Sequence, residues 1–168
     1  ALQQKLIDMG LKTKLLMLQS NGGAASLDQL TRQPVNLLLS GPSAGVGAMQ
    51  HLAVGIDENN LVSMEIGGTS CDVMLMHEGR VAITDSLSVN DYDLVTPSVD
   101  IHTVGAGGGT IAGIDVAGLM YAGPEGAGAR PGPAAYGYGG TRPTVTDAHL
   151  VLGRMRPGPY AGGSVSLD

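Results

Sequence analysis

At residues 61–75 a glycine-rich turn joins two apolar runs, and this pattern limits the local structure to a small number of possibilities. The turn reads Glu-Ile-Gly-Gly-Thr-Ser-Cys-Asp, and each flanking run has the length of a β-strand. Adjacent glycines tolerate positive φ and carry no Cβ, so successive backbone N–H groups can point into one concave anion site. The segment therefore predicts a hairpin whose turn binds phosphate. An ordinary tight β-hairpin, which Gly-Gly also favours, is the alternative.

The side chains around this turn suit a nucleotide phosphate with its magnesium ion. Backbone amides and two hydroxyl groups would donate to the phosphate oxygens. Acidic residues stand at both ends of the turn, and Mg²⁺ prefers carboxylate and water oxygens. The candidate phosphate ligands are Gly67, Gly68, Thr69 and Ser70, and the acids that could hold Mg²⁺, directly or through water, are Glu65 and Asp72.

Two other phosphate-binding classes do not fit the chain. A P-loop requires Gly-Lys followed by Ser or Thr, which places an ammonium on the phosphates. All three lysines lie within residues 5–14, and none of them follows a glycine. The Rossmann fingerprint is matched at two of its three glycine positions at best, which means little in a chain with 27 glycines. The P-loop class is therefore excluded.

Composition limits the class of partner and the setting. The chain has 168 residues and a formal net charge of -6, with no basic run, which argues against nucleic acid and anionic membrane surfaces as partners. A single cysteine excludes an intramolecular disulfide framework and is consistent with a cytoplasmic protein. No apolar stretch approaches the roughly 20 residues of a membrane span. Because it lacks an initiator Met and opens in a helical pattern, we expect the chain to be an excised piece of something longer.

Hydrophobic periodicity and turn signals predict an α/β chain. Three strands that follow one another in a meander, with a phosphate-binding first turn, are typical of the nucleotide-binding half-domain of actin and hexokinase. By this fold-level analogy we expect a partial actin-like ATPase (ribonuclease H-like) domain, with a mixed sheet and flanking helices. The predicted helices cover residues 2–9, 27–32 (capped by Ser26), 44–54 and 144–152. The predicted strands cover residues 14–19, 35–39, 61–66, 72–76, 81–84, 111–115 and 118–122, and an irregular loop at 123–141 is expected to pack over the site.

A second group of candidate residues lies in the second half of the chain. Asp100 and His102 precede a glycine loop, and residues two apart in an extended segment point to the same side. Such a pair could bind a metal or form a base with its orienting carboxylate. A histidine satisfied by hydrogen bonds at a strand end is the alternative. The loop itself offers Gly107 and Gly108 as further cofactor-binding positions.

Two further residues, Cys71 and Asp147, are interpreted as structural rather than functional. Cys71 lies inside the turn motif, but no histidine is near it in sequence and a hairpin strand offers no helix dipole to lower its pKa, so a nucleophilic role is not favoured. Asp147 falls in the first turn of the last predicted helix. We therefore interpret it as a partner of the helix dipole rather than as a ligand.

Six sequence blocks, taken in order, resemble the hydantoinase A/5-oxoprolinase family. Together they cover nearly the whole chain, which makes the resemblance specific. Asn21 is more similar to the hydantoinase and ketone-carboxylase branch than to the 5-oxoprolinase branch. The blocks are Leu18–Gly23, Leu39–Gly45, Glu65–Asp72, Asp100–Gly109, the pair Gly132-Pro133, and Gly139–Asp147.

The resemblance implies a function and missing parts. Family members are similar to actin-like ATPases and act with a hydantoinase B type subunit or domain. They open cyclic amides such as hydantoin, N-methylhydantoin or 5-oxoproline with ATP, and related members carboxylate acetone or acetophenone. The implied organisation is a single fragment of the catalytic region, in which residues 1–56 end a preceding α/β segment and 57–168 begin the phosphate-loop meander. A second phosphate loop and the rest of the adenine pocket would lie outside it, so the fragment alone is expected to be inactive.

The chain departs from the family pattern at three places. Glu65 stands where the pattern usually has Asp, Cys71 where it has Thr, and Ala135 near a position that is commonly Cys. The longer carboxylate at position 65 would shift any metal or water that it positions.

The chemistry implied is phosphorylation of an amide carbonyl oxygen, which turns a poor leaving group into a good one. Catalysis of phosphoryl transfer consists mostly of positioning and charge stabilisation. The resemblance implies that Glu65 and Asp72 position Mg²⁺ or the attacking water. The pair Asp100 and His102 serves the substrate or a metal site shared with Asp72. A non-catalytic nucleotide-binding or assembly module is the competing class. A sugar kinase would need a catalytic Asp that nothing in the sequence singles out.

Overall fold

The computed structural model describes residues 2–89 and 91–168. Contacts between residues divide the chain into two compact units. The first contains the residues up to Ser63 together with Met74–Ile101, and the second contains Met64–Val73 together with His102–Asp168. Three strands carry the chain from one unit into the other. The subdomains predicted at 1–56 and 57–168 refer to a larger fold and stay a prediction.

The helices of the first unit lie mostly where the sequence predicts them. Ser26 caps the second helix, and its backbone N–H donates to the side chain of Gln29, three residues later, at 3.1 Å. This contact satisfies one of the donors that a helix start leaves free. The helices are α1 (Leu2–Asp8), α2 (Leu27–Arg32), α3 (Ser40–Ser43) and α4 (Gly45–Ile56), with a 3-10 helix at Pro34–Leu37.

The buried strand predicted at residues 35–39 is wrong. The segment begins as the 3-10 helix Pro34–Leu37, since proline fixes φ near the helical value and suits the first position of a helical turn. Leu39 then adopts a left-handed φ of 55° before α3 begins. Leu38 and Leu39 are 37% and 44% exposed, so the apolar run does not form core. A short apolar run does not by itself distinguish a strand from a helical turn.

Short strands form the rest of the first unit and cross into the second. The strands up to residue 104 are β1 (Leu16–Leu18), β2 (Ala24–Ser26), β3 (Leu61–Ile66), β4 (Cys71–His77), β5 (Arg80–Val81), β6 (Ile83–Thr84), β7 (Leu87–Val89), β8 (Tyr92–Leu94), β9 (Ser98–Val99) and β10 (Ile101–Val104). The largest sheet has the order β10-β4-β3, with β5 antiparallel to β4. The predicted meander is confirmed for its first two strands. Its third strand breaks at Ala82 into β5 and β6, and β6 pairs with β9.

The core of the first unit lies between α4 and the strands. Met49 and Ala53 of α4 pack with Met74 and Met76 of β4, and Val99 of β9 completes the cluster. Met74 is fully buried. The chain contains neither Phe nor Trp, so methionine supplies the large, adaptable side chains that fill this core.

The second unit contains a long hairpin and one capped helix. The hairpin confirms the predicted pairing, with Gly113 opposite Tyr121. Its second strand continues to Gly126, so the irregular loop predicted from residue 123 is wrong over its first four residues. The carboxylate of Asp115 accepts hydrogen bonds from the amides of Ala117 and Leu119, both at 2.9 Å, and so closes its turn. The elements are β11 (Thr110–Ile114), β12 (Met120–Gly126), α5 (Val145–Val151), β13 (Gly158–Tyr160) and β14 (Val165–Leu167), with 3-10 helices at Ala134–Tyr136 and Ala161–Gly163.

Asp147 anchors the start of α5. Its carboxylate accepts from the amides of Ala135 at 2.8 Å and Thr144 at 2.7 Å, and from the Thr144 hydroxyl at 2.8 Å. Burial acts to raise the pKa of Asp147, but these hydrogen bonds outweigh it and hold the pKa below the usual value of 3.8. The interpretation of Asp147 as a helix-start carboxylate is confirmed. No helix within residues 2–89 and 91–168 combines the length and the apolar character that crossing a membrane requires.

Candidate functional site

The turn between β3 and β4 is a tight two-residue hairpin loop. The amide of Gly67 donates to the carbonyl of Ser70 at 2.9 Å, which leaves Gly68 and Thr69 at the tip. Gly67 and Gly68 both lack a positive φ, so the turn does not use the left-handed region that adjacent glycines tolerate. A Cβ placed on Gly68 would meet nothing within 4 Å. The space beside Gly68 is therefore open to a ligand.

The turn presents several hydrogen-bond donors from its backbone and its side chains. Within the described part of the second unit, the amides of Gly68, Thr69 and Ser70 have no backbone acceptor. Thr69 is exposed and Ser70 is half-buried. Three successive amides without acceptors, together with two hydroxyl groups, are the donors that an anion site needs.

Glu65 and Asp72 line one open cavity beside this turn. The cavity has a volume of about 300 Å³, and Ile66, Gly67 and Ser70 complete its lining. Both acids are half-buried. The structure thus brings two carboxylates to the same concave surface as the turn, as the sequence predicts.

Thr103 is a site residue that the sequence analysis missed. Its hydroxyl donates to Oδ1 of Asp72 at 2.6 Å, a short charge-assisted hydrogen bond. The second carboxylate oxygen of Asp72 has no hydrogen-bond donor among the described residues of this unit. Thr103 follows Asp100 and His102 in the sequence, but nothing in their order shows that β10 lies beside β4. Only the strand pairing makes Thr103 a neighbour of Asp72.

The structure does not gather Asp72, Asp100 and His102 into one group. Side chains alternate along a strand, so His102 points to the face opposite that of Thr103 and hence away from the Asp72 carboxylate. His102 and Asp100 are both exposed, and Asp100 belongs to the first unit. Among residues 2–89 and 91–168, no cluster of three or more His, Cys, Asp and Glu side chains could hold a metal ion. The metal site stays a prediction, for which Glu65 and Asp72 offer the oxygen ligands nearest the turn.

The glycine loop, Gly107–Gly109, uses its amides inside the protein. The Gly107 amide donates to Oγ1 of Thr110 at 2.7 Å, and the Gly108 amide donates to the carbonyl of Gly67 at 2.9 Å. Gly107 is buried. Unlike the amides of the turn, those of Gly107 and Gly108 are not free to receive a phosphate oxygen.

Cys71 has the surroundings of a structural residue. Its side chain is buried at the start of β4, with 6% of its surface exposed. A reactive thiolate requires access and a positive neighbour. The structure therefore agrees with the interpretation that Cys71 is not a nucleophile.

Comparison with known proteins identifies the family. The sequence model of the family described as Hydantoinase/oxoprolinase matches residues 1–168. The chain belongs to the hydantoinase/oxoprolinase family. The resemblance predicted from the six sequence blocks is thereby confirmed.

One member of the hydantoinase/oxoprolinase family and two solved structures show how far the likeness extends. The caprolactamase subunit alpha of Pseudomonas jessenii is 38% identical over 161 residues, which are 96% of this chain and 23% of that protein. The crystal structure of the ATP-dependent caprolactamase from Pseudomonas jessenii is similar over 99% of this chain and 24% of the solved chain, with 37% identity and a TM-score of 0.77. The nucleotide-free structure of acetone carboxylase, described under the mechanism of ATP-dependent acetone carboxylation, is similar over 99% of this chain and 23% of the solved chain. The identity is 31% and the TM-score is 0.75.

These likenesses confirm a mixed α/β fold of the hydantoinase/oxoprolinase type. The chain spans about a quarter of the length of the curated relative and of the solved chains that it matches. The turn, the two acids and Thr103 all lie inside the matched region. Both solved structures belong to proteins that are described as ATP-dependent.

Proposed function

We propose that this chain is the phosphate-binding portion of an ATP-dependent hydrolase that opens cyclic amides such as hydantoin, N-methylhydantoin or 5-oxoproline. The observation that carries the proposal is the turn at Gly67–Ser70, which lies beside a cavity lined by Glu65 and Asp72. The amides of Gly68, Thr69 and Ser70 have no backbone acceptor among the described residues of the second unit. The family match and the ATP-dependent relatives support ATP as the source of the phosphate. In the proposed larger fold, residues 1–56 end one segment of an actin-like ATPase domain and residues 57–168 begin the next.

The residues of the turn have a defined task in this chemistry. ATP would supply a phosphoryl group to the amide carbonyl oxygen and leave as ADP. One water would then attack the carbonyl carbon and the ring C–N bond would break, which releases the amine and leaves an acyl phosphate. A second water would hydrolyse the acyl phosphate to a carboxylate and free phosphate. The amides of Gly68, Thr69 and Ser70 would stabilise charge on the phosphate oxygens, because donors fixed in advance need no reorganisation during the transfer. The hydroxyls of Thr69 and Ser70 would add to them.

The carboxylates of Glu65 and Asp72 would position the Mg²⁺ ion and the attacking water. Glu65 and Asp72 suit Mg²⁺, which binds few protein carboxylates and completes its octahedron with water and phosphate oxygens. Thr103 would fix the orientation of Asp72 through its 2.6 Å hydrogen bond. His102, which is exposed, and Asp100 would act on the substrate side.

The proposal extends to partners and to a second activity. Relatives named as subunits support a multi-subunit enzyme, and a hydantoinase B type subunit or domain is the partner proposed. The cytoplasm is the proposed location. The match to acetone carboxylase favours an ATP-dependent ketone carboxylase subunit as the second candidate function. In both reactions the turn would bind the phosphates of ATP.

A phosphate-release assay tests the proposal. The full-length protein with its partner subunit is supplied with Mg²⁺, ATP and, in turn, hydantoin, N-methylhydantoin, 5-oxoproline or acetone. Release stimulated by a cyclic amide supports the hydrolase, release stimulated only by acetone with bicarbonate supports the carboxylase, and ATP binding without any release supports a non-catalytic module. Asp72→Ala should abolish the release, whereas Asp85→Asn, at an exposed acid of the first unit, should leave it unchanged.

A further inference from the structure

The glycine loop packs directly on the turn proposed to bind phosphate. Its amides at Gly108 and Gly109 donate to the carbonyls of Gly67 and Gly68, at 2.9 Å and 2.7 Å. Both acceptors are peptide carbonyls of the turn, and both bonds run from backbone to backbone. Two parallel hydrogen bonds of normal length hold one backbone segment against another. The carbonyl side of the turn is therefore occupied, while its amide side stays free.

Steric contact makes this packing depend on glycine at position 107. A Cβ added there would lie 2.8 Å from the Gly67 oxygen, from the Gly68 carbonyl carbon and from the Thr69 nitrogen. All three atoms belong to the backbone, so no flexible side chain can move aside. Gly107 has no positive φ, so its requirement for glycine comes from the contact and not from its own conformation.

The glycine loop is itself fixed from behind. The amide of Gly107 donates to Oγ1 of Thr110, which is 5% exposed, and the amide of Thr146 at the start of α5 donates to the carbonyl of Gly108 at 2.7 Å. A chain of hydrogen bonds therefore connects the capped start of α5, through the glycine loop, to the turn.

We propose that Gly107 and Thr110 are positioning residues, which hold the turn in the conformation that presents the amides of Gly68, Thr69 and Ser70 to a nucleoside triphosphate. They act through the turn and do not touch the phosphate themselves. This inference rests on the proposed function of the turn. It replaces the sequence-based assignment of Gly107 and Gly108 as residues that bind the cofactor.

Direct binding and positioning make opposite predictions for Thr110. If the Gly107 amide contacted the phosphate, removing the Thr110 hydroxyl would free that amide and keep or strengthen binding. If the amide anchors the loop, the same change loosens the turn and weakens binding. Thr110→Val removes the acceptor at nearly constant volume, and Thr110→Ser keeps it.

The test is a calorimetric titration of the full-length protein with a non-hydrolysable ATP analogue and Mg²⁺. Gly107→Ala and Thr110→Val should weaken binding by roughly tenfold or more, since displaced groups lose most of their effect. Thr110→Ser should stay close to the wild type. Gly105→Ala is the matched control, because a Cβ at Gly105 would meet nothing within 4 Å and its φ is ordinary. In steady-state assays the KM for ATP should rise while the KM for the amide substrate stays constant.

The outcomes separate this inference from the proposed function. A wild-type protein that does not bind the analogue contradicts the proposed function of the turn and the inference with it. A wild type that binds, together with Gly107→Ala and Thr110→Val variants of unchanged affinity, overturns the positioning role alone. Thermal unfolding of each variant shows whether it folds. If Gly107→Ala does not fold, the affinity of Thr110→Val alone decides whether the positioning role is correct.

Discussion

The hydroxyl of Thr103 donates a 2.6 Å hydrogen bond to Oδ1 of Asp72, and the two residues lie on neighbouring strands 31 positions apart in the sequence. A hydroxyl that donates to a carboxylate restricts the rotation of that carboxylate. The bond fixes one oxygen of Asp72 within the sheet. The other oxygen stays available to the cavity beside the turn.

Removing this hydroxyl should slow ATP turnover without unfolding the protein. We expect Thr103→Val to reduce kcat by roughly fivefold, because one hydrogen bond contributes about 1 kcal/mol. Thr103→Ser keeps the donor and should restore most of the rate. Phosphate release under saturating ATP is the measurement. Equal rates for the valine and serine variants would show that the hydroxyl has no role in turnover.

The Glu65 side chain provides a test of the magnesium assignment. Glu65→Gln removes a charge from the cavity and should raise the Mg²⁺ concentration needed for half-maximal turnover by roughly tenfold, since Mg²⁺ binds carboxylates far better than amides. Glu65→Asp keeps a carboxylate on a shorter side chain and should retain magnesium-dependent turnover. A magnesium titration of phosphate release measures both. Identical curves for the wild type and Glu65→Gln would remove Glu65 from the site.

The start of α2 and the hairpins β3–β4 and β11–β12 could be predicted from the sequence, because their causes are local, whereas the hairpins β1–β2, β7–β8 and β13–β14 were not predicted. Ser26 and Asp147 act within three residues of the helix starts that they stabilise, and Gly-Gly at the tip of two apolar runs predicts a hairpin without knowledge of the rest of the fold. The strand predicted at residues 35–39 was wrong because the local signal is ambiguous there: a short apolar run suits both a strand and a helical turn.

The contacts that hold Asp72 and the turn in place could not be predicted, because they come from elements that are distant in sequence. Thr103 meets Asp72 only because β10 pairs with β4. The need for glycine at position 107 arises from the backbone of residues 67–69, about forty positions earlier. Glycine-rich composition suggested a phosphate loop there, whereas the structure shows a packing surface.

Asp147 should make stability depend on pH in the acid range. Its folded-state pKa lies below the unfolded value, so its contribution is complete above a pH of about 4 and is lost as the pH falls through the folded pKa. Asp147→Ala also removes hydrogen bonds at the helix start and should lower the free energy of unfolding at neutral pH by about 1–2 kcal/mol. Urea unfolding of the full-length protein, followed at pH 7 and at pH 3, measures both effects.

The acid-range test has a matched control in the other capped helix. Asp28 lies in the first turn of α2 and is exposed. The difference between the wild type and Asp147→Ala should shrink at pH 3, whereas Asp28→Ala should change little at either pH. A difference for Asp147→Ala that grows as the pH falls would contradict the sign of the lowered pKa.

Two methionines should respond differently to the same substitution. Met74 is fully buried in the core of the first unit, and Met64 is 64% exposed. Met74→Ala leaves a cavity and should lower the free energy of unfolding by about 2–5 kcal/mol. Met64→Ala should change it by no more than about 0.5 kcal/mol, as for most surface substitutions. Thermal unfolding of both variants is the measurement, and equal losses would place the core elsewhere.

A structure of the full-length protein with Mg²⁺ and a non-hydrolysable ATP analogue would show whether this turn binds the triphosphate. We expect phosphate oxygens within hydrogen-bond distance of the amides of Gly68, Thr69 and Ser70, and Mg²⁺ coordinated by Glu65 or Asp72, directly or through water. A triphosphate bound elsewhere, with no phosphate oxygen near the amides of this turn, would contradict the proposed function.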